Sequence, residues 1–152
     1  MNIFVLDRNP DIAAQYACDK HVVKMVLETA QILSTVAHKL GLEAKYKPTH
    51  KNHPCTLWAG ESKDNIEWLI KHGTALGKEY TKRYGKIHKS SLVINDLGKV
   101  LPSALPSQGL TPFAQAMPDI YRTADPVEAY RAYYKNVKYS IATWKTETPP
   151  WW

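Results

Sequence analysis

The sequence has little cysteine, little glycine and no long hydrophobic run. Its 152 residues include two cysteines, Cys18 and Cys55, too few for the disulfide framework of a small secreted domain. None of its seven glycines lies in a phosphate-binding loop after a strand, so kinase and dinucleotide-binding motifs are excluded. The first residues reach Asp7 and Arg8 after a short apolar run, which argues against a signal peptide or a membrane span. We therefore expect a cytoplasmic protein with free thiols.

Positive charge is what the chain has in excess. Lys and Arg number 20 against 14 Asp and Glu, which gives a formal net charge of +6. Such an excess favours a polyanionic partner, so we expect DNA or a nucleotide and no membrane. The chain is long enough to bury a core and contains no internal repeat, low-complexity tract or linker. We predict one domain over residues 1–152.

The longest periodic segment predicts a helix that Asp19 caps and that ends before Gly41. Apolar residues recur on one face at three- and four-residue steps, namely Val22, Val26, Ala30, Leu33, Ala37 and Leu40. A neighbouring strip of the same helix, the polar strip, carries His21, Lys24, Glu28, Gln31, Thr35 and His38. The polar strip is either a partly exposed face with satisfied histidines or the wall of a site. The helix pattern alone leaves both interpretations open.

Further helices are predicted along the chain, and all but the weaker one from His88 begin at a proline or after a Ser or Asp cap. The predicted helices are Pro10 to about Ala17, Pro54 to about Ala59, a long helix from Ser62 to Gly85, a weaker helix from His88 to Val100, and Pro126 to about Trp144. Residues 2–6 are predicted as an extended segment. The fold class is therefore all-α: one compact domain of about five helices with a short extended N-terminal arm. Gly73 and Gly77 inside the long helix predict close approach of another helix.

Two basic segments carry candidate contacts to a polyanion. Lys82 and Arg83 end the long helix, where they either bind phosphate or complement the helix dipole. The last helix carries a basic stripe and several tyrosines around it, Arg131, Lys135 and Lys138 with Tyr130, Tyr133, Tyr134 and Tyr139. Cations suit phosphates and aromatic rings can stack on bases, although the tyrosines could equally be core residues.

Metal and nucleophilic cysteine chemistry are weakly indicated. Cys18 with His21, and His50 with His53, have the spacing of zinc-ligand pairs, but no carboxylate partner for the histidines is evident. We predict neither a metal nor a cofactor. The polar strip offers acid–base chemistry instead. His21, Lys24 and Glu28, with Lys20 beside them, supply the groups needed to break a glycosidic bond to a base.

The sequence resembles the pyrimidine dimer DNA glycosylase family of the T-even phage endonuclease V type. The segments that carry the resemblance are KHVVKMVLETAQIL (20–33), NHPCTLW (52–58), NIEWL (65–69), EYTKRYG (79–85) and AYYKNVKY (132–139). The resemblance implies an all-α enzyme that flips a base out of the duplex, cuts its glycosidic bond and can then cleave the backbone through an imine. In that family the amine is the N-terminal α-amino group.

Two positions depart from the family pattern. The family frees its amine by removing the initiator methionine before a small residue, whereas Asn2 would retain Met1 here. The family glutamate follows a basic residue near the start of the first long helix. By the pairing of Lys20 and Lys24 with the family arginines, that position is His21. Either Glu28 supplies the carboxylate, or His21 does a different job, or the substrate differs or the glycosylase activity is absent.

The leading hypothesis is a DNA base-excision enzyme, an N-glycosylase on a damaged or modified base with possible lyase activity at the abasic site. The expected catalytic residues are His21, Lys24, Glu28, Met1 and Asn2. The expected substrate and nucleic-acid contacts are Lys20, Gln31, His50, His53, Lys82, Arg83, Arg131, Tyr134 and Lys135. One alternative keeps the fold but acts on or sequesters a modified nucleotide, in a pocket walled by the polar strip and residues 113–117. Another is a DNA-binding protein without catalysis.

Overall fold

A computed structural model describes all 152 residues and contains only helices, turns and irregular segments. The α-helices are α1 Pro10–Tyr16, α2 Asp19–Lys39, α3 Pro54–Ala59, α4 Lys63–Tyr84, α5 Ser90–Gly98 and α6 Pro126–Tyr133. Short 3-10 turns span Pro102–Ala104 and Asp119–Tyr121, and one π-helical turn, Tyr134–Lys138, follows α6. The prediction of an all-α fold of about five helices is confirmed. None of the helices is both long and apolar enough to cross a membrane.

Most helix ends follow the predicted capping chemistry. The side chain of Asn9 accepts hydrogen bonds at the start of α1, and that of Ser62 does so at the start of α4. Gly85 ends α4 with a φ of +72°, the left-handed conformation that favours glycine. Asp19 differs from the prediction, since it is the first helical residue of α2 and makes no cap. Its carboxylate binds Arg83 instead, 3.2 Å away.

The two glycines of α4 mark close helix packing, as predicted. A Cβ at Gly73 would lie 2.6 Å from Thr29 Cγ2 on α2, and a Cβ at Gly77 would lie 2.4 Å from Ser91 Oγ on α5. Both distances are shorter than van der Waals contact. The tight packing of α4 against α2 and α5 therefore offsets the poor helix propensity of glycine.

The last helix is shorter than predicted. The α-helix ends at Tyr133 instead of about Trp144, and the chain leaves the π-helical turn to return towards the start of α2. Asp19 N–H donates to the Thr143 carbonyl at 2.8 Å, and Lys145 N–H donates to the Asp19 carboxylate at 3.0 Å. These bonds require the chain to turn back, which a helix continued to Trp144 could not do.

The N-terminal segment is extended, as expected, but it is threaded into the core. Ile3, Phe4, Val5 and Leu6 are all at most 5% exposed. Burying four apolar side chains stabilises the position of the chain start by the hydrophobic effect. The segment consequently delivers Met1 to the flank of α2 that carries His21, Lys24 and Glu28.

Candidate active site

The α-amino group of Met1 and the carboxylate of Glu28 meet beside α2. The Met1 nitrogen lies 3.2 Å from Glu28 Oε1, and the side chain of Glu28 is 8% exposed. Glu28 projects from the polar strip of α2, whereas Met1 arrives from the buried N-terminal segment. A primary amine and a largely buried carboxylate are thus held in contact, close enough for a favourable electrostatic interaction.

The side chain of Asn2 fixes the chain next to this amine. Its Oδ1 accepts hydrogen bonds from the N–H groups of Ile3 and Phe4 at 2.7 Å and 3.3 Å, and its Nδ2 donates to the Ala116 carbonyl at 2.8 Å. Phe4 has a φ of +56°, a left-handed conformation that is uncommon for residues other than glycine. Asn2 therefore folds the first residues into one defined path and sets the position of the Met1 amine.

His21 is held between an aromatic ring and a buried hydroxyl. Its imidazole stacks on Phe4 with ring centroids 4.2 Å apart, and its Nδ1 lies 2.6 Å from the Tyr134 hydroxyl. Burial lowers the pKa of His21 to about 4, with further lowering from the Lys138 and Lys24 charges. Burial also raises the pKa of Tyr134 well above its usual value. At neutral pH the pair is therefore a neutral imidazole and a protonated phenol.

Hydrogen bonding around Tyr134 favours one orientation of that proton. Cys18 N–H donates to the Tyr134 oxygen at 3.2 Å, so the hydroxyl proton can go to His21 Nδ1 or to Cys18 Sγ. The contact to His21 is 2.6 Å and that to the sulfur 3.6 Å, which favours His21. The imidazole then keeps its own proton on Nε2, which has no partner in the protein.

Met1, Asn2, His21 and Glu28 all line one cavity of about 630 Å³. That volume lies within the range of sites for small ligands and cofactors. One wall is the segment from Phe113 to Met117, the same segment that the nucleotide hypothesis names as a wall of the pocket. The other lining residues are Met1, Asn2, Phe4, His21, Lys24, Met25, Glu28, His53, Pro54, Arg122, Tyr133 and Lys138.

Three cations border the cavity and give it a positive lining. Lys24 comes from α2, Arg122 follows the Asp119–Tyr121 turn, and Lys138 ends the π-helical turn. Lys138 Nζ lies 5.3 Å from the ring centroid of Tyr133, within cation–π range. Arg122 is paired with Asp119 at 3.1 Å, but both side chains are more than half exposed, so the pair can open at little cost.

A family model for pyrimidine dimer DNA glycosylase matches residues 1–92, more than half of the chain. The chain belongs to this family. No curated protein and no solved structure shows significant similarity to it. The glycosylase family supports a DNA glycosylase role in general and implies DNA as the substrate. The matched part includes Met1, His21, Lys24, Glu28 and His53, whereas the wall at residues 113–117 and the cations Arg122 and Lys138 lie beyond it.

His53 borders the amine and carboxylate pair from the start of α3. Its Nδ1 accepts a hydrogen bond from Cys55 N–H at 3.1 Å, so a neutral His53 carries its proton on Nε2. Burial lowers the pKa of His53, and the nearby Met1 amine and His50 lower it further, while Glu28 opposes them. His53 is thus a neutral hydrogen-bond donor at the cavity.

Several other predicted residues do not line the cavity. Lys20, His50, Lys82 and Lys135 are exposed, and Gln31 is half-buried further along α2. Their positions leave contact with a long DNA strand open but place them outside the cavity itself. Among these residues, Lys20 is the one that directly precedes a cavity residue, His21, in the sequence.

Arg83 and Arg131 are occupied inside the protein. Arg83 is buried and binds Asp19, Glu79 and the carbonyl groups of Ala17 and Gln15. Arg131 binds the Asp7 carboxylate at 3.1 Å and the Leu6 carbonyl at 2.9 Å. Breaking the pairs of buried Arg83 would leave an uncompensated charge, so Arg83 holds the ends of α1 and α2 in place. Arg131 and Asp7 are each about a quarter exposed and tie α6 to the N-terminal segment. Tyr134 is also fully buried and supports His21 from below the cavity surface.

Sequence reasoning did not select six of the cavity residues. Phe4 belongs only to the predicted extended segment, and nothing near Arg122 indicated a site. Lys138 belongs to the basic stripe of the last helix, and that stripe was the signal available for it. The other three, Met25, Pro54 and Tyr133, are next in sequence to the predicted residues Lys24, His53 and Tyr134.

The suggested zinc-ligand pairs do not assemble. No group of three or more His, Cys, Asp and Glu side chains is arranged to hold a metal ion. Cys18 and Cys55 are both buried free thiols, and burial raises the pKa of Cys55 to about 12. A thiol that keeps its proton is a poor nucleophile and a poor metal ligand.

Proposed function

We propose that the protein is a DNA N-glycosylase that uses the Met1 α-amino group as its nucleophile and Glu28 as its carboxylate. The observation that supports this is the 3.2 Å contact between the two groups on the wall of a base-sized cavity. α-Amino groups lose their proton more readily than lysine side chains, so they are suited to nucleophilic attack near neutral pH. Because His21 occupies the position of the family's catalytic glutamate, we assign the role of that glutamate to Glu28.

The proposed reaction begins when a damaged or modified base turns out of the duplex into the cavity. The Met1 nitrogen attacks C1′ of that nucleotide as the C1′–N bond breaks, and the base leaves with the bonding electrons and takes up a proton. Transfer of a proton from the nitrogen to O4′ then opens the sugar ring and gives a protonated imine. Glu28 balances its positive charge, since a fixed carboxylate next to a developing cation stabilises it.

The imine has two ways to resolve. Water can hydrolyse it, which returns the amine and leaves an abasic sugar. Alternatively, removal of a C2′ proton breaks the C3′–O bond and releases the 3′ phosphate, which is the lyase step. Glu28 is the carboxylate within reach of the amine to accept that proton.

In this proposal His21 and His53 recognise the base and take no part in breaking the glycosidic bond. Both are neutral and offer an Nε2 proton at the cavity, so they can donate hydrogen bonds to the edge of the base. Lys24, Arg122 and Lys138 neutralise the flanking phosphates. Cation contacts position the DNA, while the imidazoles discriminate among bases.

Borohydride trapping tests the proposal directly. The protein is incubated with duplex oligonucleotides that carry damaged and hypermodified bases, and base release and the reduced protein–DNA product are measured. Peptide mapping of that product is expected to locate the DNA on the Met1 nitrogen. The variants Lys24→Arg and Lys138→Arg keep their charge but remove the two lysine amines that line the cavity, and both should still be trapped. A cross-link on a lysine, or no base release from any substrate, would contradict the proposal.

A free modified nucleotide or other small phosphorylated molecule is the second candidate, favoured by the wall at residues 113–117 and the cavity volume of about 630 Å³. Thermal unfolding distinguishes it from the first. If nucleotides raise the melting temperature and duplex DNA does not, the substrate is the free nucleotide. Stabilisation by duplex DNA supports the glycosylase.

A further inference from the structure

Ile120 stands out as the most exposed large hydrophobic residue of the chain, at 84%. It lies in the middle of the 3-10 turn Asp119–Tyr121. Met117 just before this turn and Arg122 just after it both line the cavity. The turn therefore exposes a branched apolar side chain to solvent between two residues of the chain that line the cavity.

The turn is held firmly on both sides. Gln115, a cavity residue, donates from Nε2 to the Thr123 carbonyl at 2.6 Å and accepts from Thr123 N–H at 3.1 Å. Tyr121 packs against Tyr133 with ring centroids 5.7 Å apart. A side chain presented on a fixed turn loses little conformational freedom when it binds, which favours a recognition role over incidental exposure.

We propose that Ile120 is a wedge that enters the DNA base stack when the target nucleotide turns into the cavity. The proposal rests on the glycosylase function above and adds the residue that drives base extrusion. Turning a base out costs a few kcal/mol of stacking, and proteins that distort DNA offset such costs by inserting apolar side chains between base steps. Ile120 has the required apolar character, exposure and place.

The cations beside the cavity fit this role. Arg122 and Lys138 line the cavity, so phosphates on either side of an opened step would meet cations once the exposed Asp119–Arg122 ion pair opens. Ile87 is nearly as exposed, at 74%, but it lines a separate pocket, and neither of its sequence neighbours lines this cavity. Ile87 therefore provides a matched control with the same side chain at a different place.

The test compares Ile120→Ala with Ile87→Ala on duplex DNA that carries 2-aminopurine at the target position. Wild-type protein and Ile87→Ala are expected to raise the 2-aminopurine fluorescence, which reports unstacking, and Ile120→Ala is expected to lose most of that rise. Base release from a paired target should fall about 10- to 100-fold in Ile120→Ala, and less for a mismatched target that is cheaper to extrude. Ile120→Leu should restore both signals.

Equal fluorescence and equal base release in Ile120→Ala and Ile87→Ala would overturn the wedge. So would a wild-type protein that binds the duplex without any rise in fluorescence. Failure of the glycosylase function has a different signature, because the fluorescence rise would then persist and depend on Ile120 while no base is released. The two proposals are thus separately testable in the same experiment.

Discussion

The amino-terminal half of the polar strip on α2 opens onto the cavity, whereas the carboxyl-terminal half is covered by the loop at residues 43–53. His21, Lys24 and Glu28 line the cavity. The hydroxyl of Thr35 instead accepts a hydrogen bond from Thr49 N–H at 3.0 Å, and its one proton lies within reach of the carbonyl groups of Gln31, at 2.9 Å, and Thr49, at 3.1 Å. His38 Nε2 lies 2.9 Å from the Tyr46 carbonyl.

The comparison shows that one run of similar side chains can serve two purposes. The covered half supplies hydrogen bonds to backbone groups of a surface loop that has no regular structure of its own, which holds the loop against α2. The open half meets the N-terminal segment, whose backbone is satisfied by Asn2, so its side chains remain available to a ligand. What covers each half decides its role, and the covering segments come from elsewhere in the chain.

The largest expected effect is that of Glu28→Gln in the open half. The amide keeps the shape of the side chain but cannot balance a positive charge or accept a proton, so base release should fall about 100- to 10,000-fold. Single-turnover rates on a duplex substrate measure this. Glu43→Gln in the covering loop is the control and should retain the wild-type rate. Comparable loss in both variants would contradict the division of the strip.

His21 should make stability depend on pH. Its folded pKa of about 4 lies below the unfolded value of 6.5, so the unfolded chain binds the proton first as the pH falls. This stability is fully present above pH 6.5 and is lost between pH 6.5 and about 4, by about 3 kcal/mol. Urea unfolding at pH 7 and pH 4.5 should show a flatter dependence in His21→Gln than in the wild type. Burial also lowers the pKa of His72, which adds a loss in the same direction to both proteins.

Asn2→Leu sharpens the role of the N-terminal segment. Leucine is similar in size and should retain Met1, but it cannot make the three hydrogen bonds that set the position of the amine. We expect base release to fall about 10- to 100-fold because the nucleophile is displaced. Asn95→Leu, the same substitution at an exposed position of α5, is the control and should retain the wild-type rate. Asn2→Ala is unsuitable, since a small second residue would permit removal of Met1. An unchanged rate in Asn2→Leu would show that Asn2 does not position the amine.

Thr35→Val should affect the covered half alone. The substitution keeps the shape of the side chain but leaves the Thr49 N–H and carbonyl without their partner, which we expect to cost about 1 to 3 kcal/mol of unfolding free energy. The rate of base release measured below the unfolding temperature should stay at the wild-type value. A drop in rate as large as that of Glu28→Gln would show that the strip acts as one unit.

Prediction from sequence succeeded where the signals are local. Caps such as Asn9 and Ser62 and the glycines of α4 act through neighbouring backbone or through sterics, so their effects can be inferred from residue type and spacing. It failed for the last helix, because Thr143 and Lys145 are held by Asp19, far away in the chain. Arg83 and Arg131 appeared to be candidate phosphate contacts because sequence shows their charge but not the carboxylates that bind them.

By itself, the sequence determined the all-α fold, the length and faces of α2, and the presence of Glu28 on its polar strip. Helix periodicity and capping are properties of short stretches of chain, and they do not depend on what packs around them. Only the tertiary structure decided that the Met1 amine reaches Glu28, that Arg122 and Lys138 join the same cavity, and that the far half of the strip is covered. Those outcomes depend on contacts between segments that are distant in sequence, which form because burying the N-terminal segment and closing the loop stabilise the whole fold.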